Sequence, residues 1–127
     1  MPSTGLPVNI EDGGRGVDIV LGDRAGMSCA PIITESVEKT LVGLGYRVMR
    51  NIPYAGGFTT QHYGDPANGI HTIQIEINRN IYMDEATLER RAVFSALKAD
   101  LNAMVHHVAT LAVQHHHRLR YQRLSAE

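Results

Sequence analysis

Between Val17 and Arg50 the spacing of apolar residues changes period twice, and this narrows what the chain can fold into more than any other feature. Val17 to Leu21, VDIVL, is short, β-branched and apolar, the composition of a strand. A turn-rich GDRAG follows. A helix is expected to open near Pro31, because proline is favoured in the first helical turn, where its missing N–H is not needed. Ile33, Val37, Leu41 and Leu44 recur at three- and four-residue steps and define its core face, with Glu35, Glu38 and Lys39 on the wet face and Gly45 as the stop. A second strand, Tyr46 to Arg50, begins directly after that glycine. Strand, helix and strand in this order form a right-handed unit with parallel strands. Such a unit collects at one edge the loops that follow its strands. Asp23 and Arg24 after the first strand and Asn51 after the second are therefore expected at the edge where α/β proteins bind ligands.

Residues 51–70 contain Pro53, Gly56, Gly57, Gly64, Pro66 and Gly69, so a long connection without a regular element is expected, of the kind that often carries function. In the next segment, HTIQIEINRNIYM from His71 to Met83, Ile73, Ile75 and Ile77 alternate with Gln74, Glu76 and Asn78. Side chains alternate faces along a strand, so a third strand over 71–79 carries a carboxylate between two amides on one face. A half-wet structural strand has the same alternation. After a link around Asp84, a helix is expected from about Glu89 to Arg118, with Val93, Leu97, Leu101, Met104, Val108 and Leu111 as the stripe that covers the sheet. The expected fold is a single α/β domain over 1–127, a mainly parallel sheet flanked by helices. Residues 1–16 are expected as loop and 118–127 as a frayed or disordered tail. Three strands and two helices make a thin core, so the isolated chain is expected to dimerise or aggregate.

Bulk properties remove whole classes of function. Twelve basic residues stand against thirteen acidic ones, so no overall field favours nucleic acid or an anionic membrane. No apolar run approaches the ~18 residues of a membrane span, and the amino terminus lacks the basic and greasy regions of a signal peptide, so a cytoplasmic location is expected. The single cysteine, Cys29, excludes an internal disulfide and reads as a small packed residue. Seven histidines include a triplet at 115–117, but no pair among His106, His107, His115, His116 and His117 has the three- or four-residue helical spacing that brings ligands together. The triplet reads as a solvated helix end, and His71 as a strand-end residue.

Three blocks together carry a family resemblance: DIVLGDRAGMSCAP at 18–31, NIPYAGGFTTQHYG at 51–64 and QIEINRNIYMDEATLER at 74–90. In order and spacing they resemble the N-formylglutamate amidohydrolase family, from Met1 to about Leu101. The resemblance implies a zinc-dependent hydrolase with a fold related to the zinc carboxypeptidases. Its reaction would be cleavage of N-formyl-L-glutamate into formate and L-glutamate during histidine breakdown. Family members are longer, and the opening MPS resembles the end of their His-Ser-Met-Pro-Ser motif. The zinc ligands are therefore expected upstream of Met1, with the present chain as the carboxyl-terminal portion. Should zinc bind here after all, His62, His71 and Glu76 are the first suspects.

The resemblance also implies roles. Glu76 occupies the position of the family's glutamate base. The two carboxylates of N-formylglutamate call for arginine, whose planar fork matches a carboxylate two bonds at a time. Arg24 and Arg79 lie inside the matched motifs and Arg50 just ahead of one, a less constrained place, with Asn51 and Asn78 as amide partners. Tyr54 with Gly56 and Gly57 reads as a lid or an ordinary turn, and His62 as a substrate-contacting or supporting residue. The expected partners are a small-molecule substrate and either a second copy or a missing amino-terminal half, with neither nucleic acid nor membrane. Two other readings stay open: a non-catalytic remnant that dimerises or binds a partner, and a metallohydrolase of another N-acyl amino acid.

Overall fold

The computed structural model describes residues 16–124. Its order is β1 (Ile19–Gly22), α1 (Pro31–Gly43), β2 (Val48–Arg50), α2 (Phe58–Tyr63), a 3₁₀ turn (Pro66–Asn68), β3 (Gln74–Ile77), α3 (Arg79–Tyr82) and α4 (Phe94–Leu124).

The strand–helix–strand unit forms as its residues dictate. Pro31 sits in the first turn of α1, and Ile33, Thr34, Val37 and Leu41 are its buried residues. Leu44, expected on the same face, is the helix cap and is 42% exposed. Gly45, at φ +96°, turns the chain out of the helix: its N–H donates to the Val42 carbonyl at 2.9 Å and that of Tyr46 to Leu41 at 3.1 Å. This double bond pattern satisfies two of the helix's last carbonyls and needs the left-handed backbone that glycine adopts without strain. β2 then pairs parallel to β1, with Ile19 opposite Val48 and Leu21 opposite Arg50.

The expectation of a mainly parallel sheet is corrected. The sheet has three strands in the order β2-β1-β3, and β3 runs antiparallel to β1, with Gly22 opposite Gln74 and Ile19 opposite Ile77. The reason lies in the connection. A parallel β3 would need a crossover to carry the chain back to the amino edge. Residues 51–73 hold only the six-residue α2 and one 3₁₀ turn, and β3 starts at the edge where β2 ends. The expectation that this segment lacks regular elements is corrected too: α2 forms within it, tied down by the buried Thr60.

Ile19 and Leu21 point to one side of the sheet, where they cluster with Val37 and Leu41 of α1 and Met104 of α4, joined by the partly buried Tyr46, Val48, Ile73, Ile75, Leu101 and Val108. Fully burying such a side chain stabilises the fold by about 1.5–3 kcal/mol. Both long helices therefore serve the same sheet face, and two polar bonds fasten α4 there: Tyr46 Oη donates to Asp100 Oδ2 at 2.6 Å, and Ser36 Oγ lies 2.9 Å from His107 Nε2. α4 opens at Phe94 rather than near Glu89, which leaves Val93 outside it and 51% exposed. Leu97 and Met104 are the buried members of the expected stripe. Helical backbone continues to Leu124, and residues 125–127 of the expected tail lie outside the described residues. The expected loop over 1–15 lies outside the described residues. Among the described residues no helix is long and apolar enough to cross a membrane.

Candidate active site

The carboxyl ends of β1 and β2 are locked together by side chains. Asn51 Nδ2 donates to Asp23 Oδ1 at 2.9 Å, and Asn51 Oδ1 accepts from the N–H groups of Asp23 at 3.1 Å and Ala25 at 3.3 Å. Arg24, Ala25 and Asn51 all take left-handed backbone, at φ +54°, +55° and +59°. Asparagine tolerates that region better than most residues, and its amide here satisfies the tight turn it faces. Asp23 is 4% exposed. Burial works to raise its pKa, but the Asn51 amide, the Thr34 hydroxyl, the Gly26 N–H and the positive charge of Arg50 outweigh it and hold the carboxyl below its usual range. A cavity of about 200 Å³ opens beside this loop, lined by Asp23, Ala25, Gly26, Pro31, Arg50 and Asn51.

The 52–57 loop folds back onto the end of β1. Arg24 N–H donates to the Ala55 carbonyl at 2.8 Å. A Cβ on Gly22 would lie 2.6 Å from Gly56 N and 2.8 Å from Ala55 C, so only glycine permits this approach of two backbones. From the loop's far end, Gly57 N–H donates to Gln74 Oε1 at 2.7 Å, and Gln74 Nε2 donates to Glu76 Oε1 at 2.6 Å. Gln74 and Glu76 pair with Gly22 and Val20 of β1, on the sheet face opposite the α1/α4 core.

The expected site residues therefore divide into groups. Arg24, Asn51, Tyr54 and, through Gln74, Glu76 belong to the carboxyl edge and the loop that covers it. Arg24 is half-buried, with no ion-pair partner among the described residues, and Tyr54 is half-buried in the loop. Arg50 is engaged by Glu38, its Nε lying 2.9 Å from Glu38 Oε2. Asn78 and Arg79 fall at the opposite edge, because antiparallel pairing carries β3 away from the loop, about 13 Å over the four residues from Gln74 to Asn78. There Asn78 caps α3, accepting from Asn80 N–H at 3.0 Å and donating to the Val17 carbonyl at 3.1 Å, while Arg79 pairs with Glu85 at 3.2 Å. His62 is exposed on α2, stacked on Phe58 at 5.0 Å and edge-on to Tyr63 at 4.7 Å. His71 Nδ1 accepts from Ala30 N–H at 3.2 Å, at the start of α1. Cys29 is fully buried and its thiol pKa is pushed up by burial, which agrees with a packing role.

Two contributors do not stand out in the sequence. Asp23 is placed there at the ligand-binding edge but given no role, and Gln74 reads only as one of two amides flanking Glu76; the strand face that Gln74 shares with Glu76 is the signal that points to it. The expected zinc does not fit the residues present: among the described residues no three of His, Cys, Asp and Glu come together as a metal-binding group.

Comparison with known proteins gives the class of the chain first, that of the amidohydrolases. The sequence pattern of the N-formylglutamate amidohydrolase family matches residues 1–83, and the chain belongs to that family. It is 38% identical over 73 residues to the N-formylglutamate deformylases of Pseudomonas putida and Pseudomonas aeruginosa, a match that covers 57% of this chain and 27% of either relative. The crystal structure of N-formylglutamate amidohydrolase from Ralstonia eutropha JMP134 superimposes with a TM-score of 0.78 at 36% identity, over 90% of this chain and 41% of that one. The chain thus spans about a quarter of the length of the curated relatives it matches.

Proposed function

We propose that this chain supplies the general base and one wall of the substrate cleft of an N-formylglutamate amidohydrolase, which hydrolyses N-formyl-L-glutamate to formate and L-glutamate in histidine breakdown. The observation that carries this reading is that Glu76, Arg24 and the loop that joins them all lie inside the matched segment 1–83. Glu76 takes a proton from the water that attacks the formyl carbon. The C–N bond then breaks, formate leaves, and the proton passes from Glu76 to the departing amine. Arg24 binds a substrate carboxylate through two parallel N–H bonds, and Tyr54 closes over it. The metal dependence that the family resemblance implies, and its zinc-carboxypeptidase-like fold, remain part of this proposal. Since the described residues form no metal site, ligands for zinc would come from elsewhere in the assembled enzyme.

The test is a fusion of the full 127-residue chain to the part of the Pseudomonas putida deformylase outside its matched segment, assayed for formate release from N-formyl-L-glutamate. Turnover that disappears in Glu76→Gln is the expected result. A folded fusion without formate release, or one whose Glu76→Gln form keeps full turnover, would overturn the reading.

A further inference from the structure

Gln74 occupies a position that calls for an acceptor at one end of the side chain and a donor at the other. On one side stands a donor, the Gly57 N–H, 2.7 Å from Gln74 Oε1; on the other stands an acceptor, Glu76 Oε1, 2.6 Å from Gln74 Nε2. The two partners fix which end of the amide faces which, since reversing it would set N–H against N–H and oxygen against carboxylate. Gln74 and Glu76 share a sheet face because they are two residues apart on β3, and their backbones are held in register opposite Gly22 and Val20. Val20 is fully buried, which seats this face firmly.

The other partner is not on the sheet. Gly57 ends the loop whose Ala55 and Gly56 backbone lies against Gly22 and whose Ala55 carbonyl accepts from Arg24 N–H. A Cβ on Gly57 itself would stand 3.2 Å from Gln74 Oε1, so the amide closely fills the space beside it. A continuous path of contacts therefore runs from Arg24 through the loop to Gly57, then through Gln74 to Glu76.

We propose that Gln74 is the positioning residue for the Glu76 carboxylate and that, through Gly57, it makes the closed 52–57 loop a condition of that positioning. This rests on Glu76 acting as the base in the reaction proposed above. When the loop is seated, the Gln74 carbonyl is held and its NH₂ group points at Glu76. When the loop lifts, the amide loses its anchor and its bond no longer holds the Glu76 carboxylate in this orientation. A base misplaced by about 1 Å loses about 100-fold in rate, so a shift in this one bond is large enough to register in kcat.

Two measurements test this. In the 127-residue chain, Gln74→Leu is expected to speed amide hydrogen exchange at Gly57 by about tenfold while Leu21 and Ile75 keep their protection, because only the loop anchor is lost. Gln74→Glu retains the acceptor and should keep Gly57 protected. In the fusion enzyme, Gln74→Leu should lower kcat about 100-fold with KM little changed. Gln74→Glu should lower kcat at high pH and recover as the pH falls to where the carboxylate pair holds one proton and the introduced carboxyl group can donate to Glu76. A purely structural glutamine gives no such pH-dependent recovery. Gly57 exchange unmoved by Gln74→Leu, or a Gln74→Leu fusion with wild-type kcat, overturns the proposal while the unsubstituted fusion remains active. An inactive unsubstituted fusion is instead the failure of the functional reading itself.

Discussion

Asn51 and Asp23 close a ring across the ends of the two parallel strands: the Asn51 amide nitrogen donates to Asp23 Oδ1 at 2.9 Å, and the Asp23 N–H donates back to Asn51 Oδ1 at 3.1 Å. The ring fixes the start of the loop that carries Arg24, which sits at φ +54° beside Ala25 at φ +55°. Asn51, itself at φ +59°, serves this turn with both ends of its amide and so holds the backbone that carries Arg24. Asn51→Ala loses these bonds and places an intolerant residue in left-handed backbone, at a cost of about 2–4 kcal/mol. Asn51→Gly loses the same bonds without the strain and should be about 1 kcal/mol less destabilising. Urea melts of the two variants check the order, and a glycine variant weaker than the alanine one would contradict the conformational argument.

The same ring predicts an acid limb in stability. Asp23 has its pKa lowered in the fold, so the native state favours its charged form. Its contribution is fully present above the unfolded value of about 3.9 and disappears as pH falls through the lower folded value. Asp23→Asn keeps an oxygen that can accept from Asn51 and Gly26 but has no charge to lose. The stability gap between wild type and Asp23→Asn should therefore be largest above about pH 4 and close below it. Denaturant melts from neutral pH downward measure the gap; a gap that widens on acidification would reverse the sign assigned to Asp23.

Arg24 and Arg79 are separated by the direction of β3. Arg24 lies at the loop edge, while Arg79 lies beyond the other end of β3 and is paired with Glu85. In the fusion enzyme, Arg24→Ala should raise KM for N-formyl-L-glutamate by about 10- to 100-fold, the weight of a charge-assisted bidentate bond of about 1.5–3 kcal/mol. Arg24→Lys should recover only part of it, because lysine lacks the planar fork. Arg79→Ala should leave KM within about twofold, as expected for loss of an exposed ion pair. Equal losses in the two alanine variants would show that the substrate spans both edges.

The parts of this arrangement that depend on local pattern were legible in the sequence. Val17–Arg50 announced β1, α1 and β2 through apolar spacing, Pro31 and Gly45, because each of those signals acts within one turn or one strand. The direction of β3 was not legible: HTIQIEINRNIYM alternates identically whether it runs up or down the sheet, and only the path of residues 51–73 decides. That one ambiguity moved Asn78 and Arg79 away from Arg24 and Asn51. The role of Gln74 depends on a contact seventeen residues back in the chain, at Gly57, which no periodicity encodes.

Gly22 is where strand and loop meet most closely, and it offers a way to move the loop without touching any group that contacts substrate. A Cβ at this position would fall 2.6 Å from Gly56 N and 2.8 Å from Ala55 C, both backbone atoms that cannot rotate aside. Gly22→Ala must therefore push the 55–56 segment off β1, at a cost of about 1–3 kcal/mol. The displacement carries Gly57 with it and stretches its bond to Gln74. Gly22→Ala is thus expected to lower kcat and to speed exchange at the Gly57 amide together, while the β1 ladder opposite β2 stays protected. A variant that melts like wild type and keeps both Gly57 protection and turnover would mean that the loop has room this packing does not show.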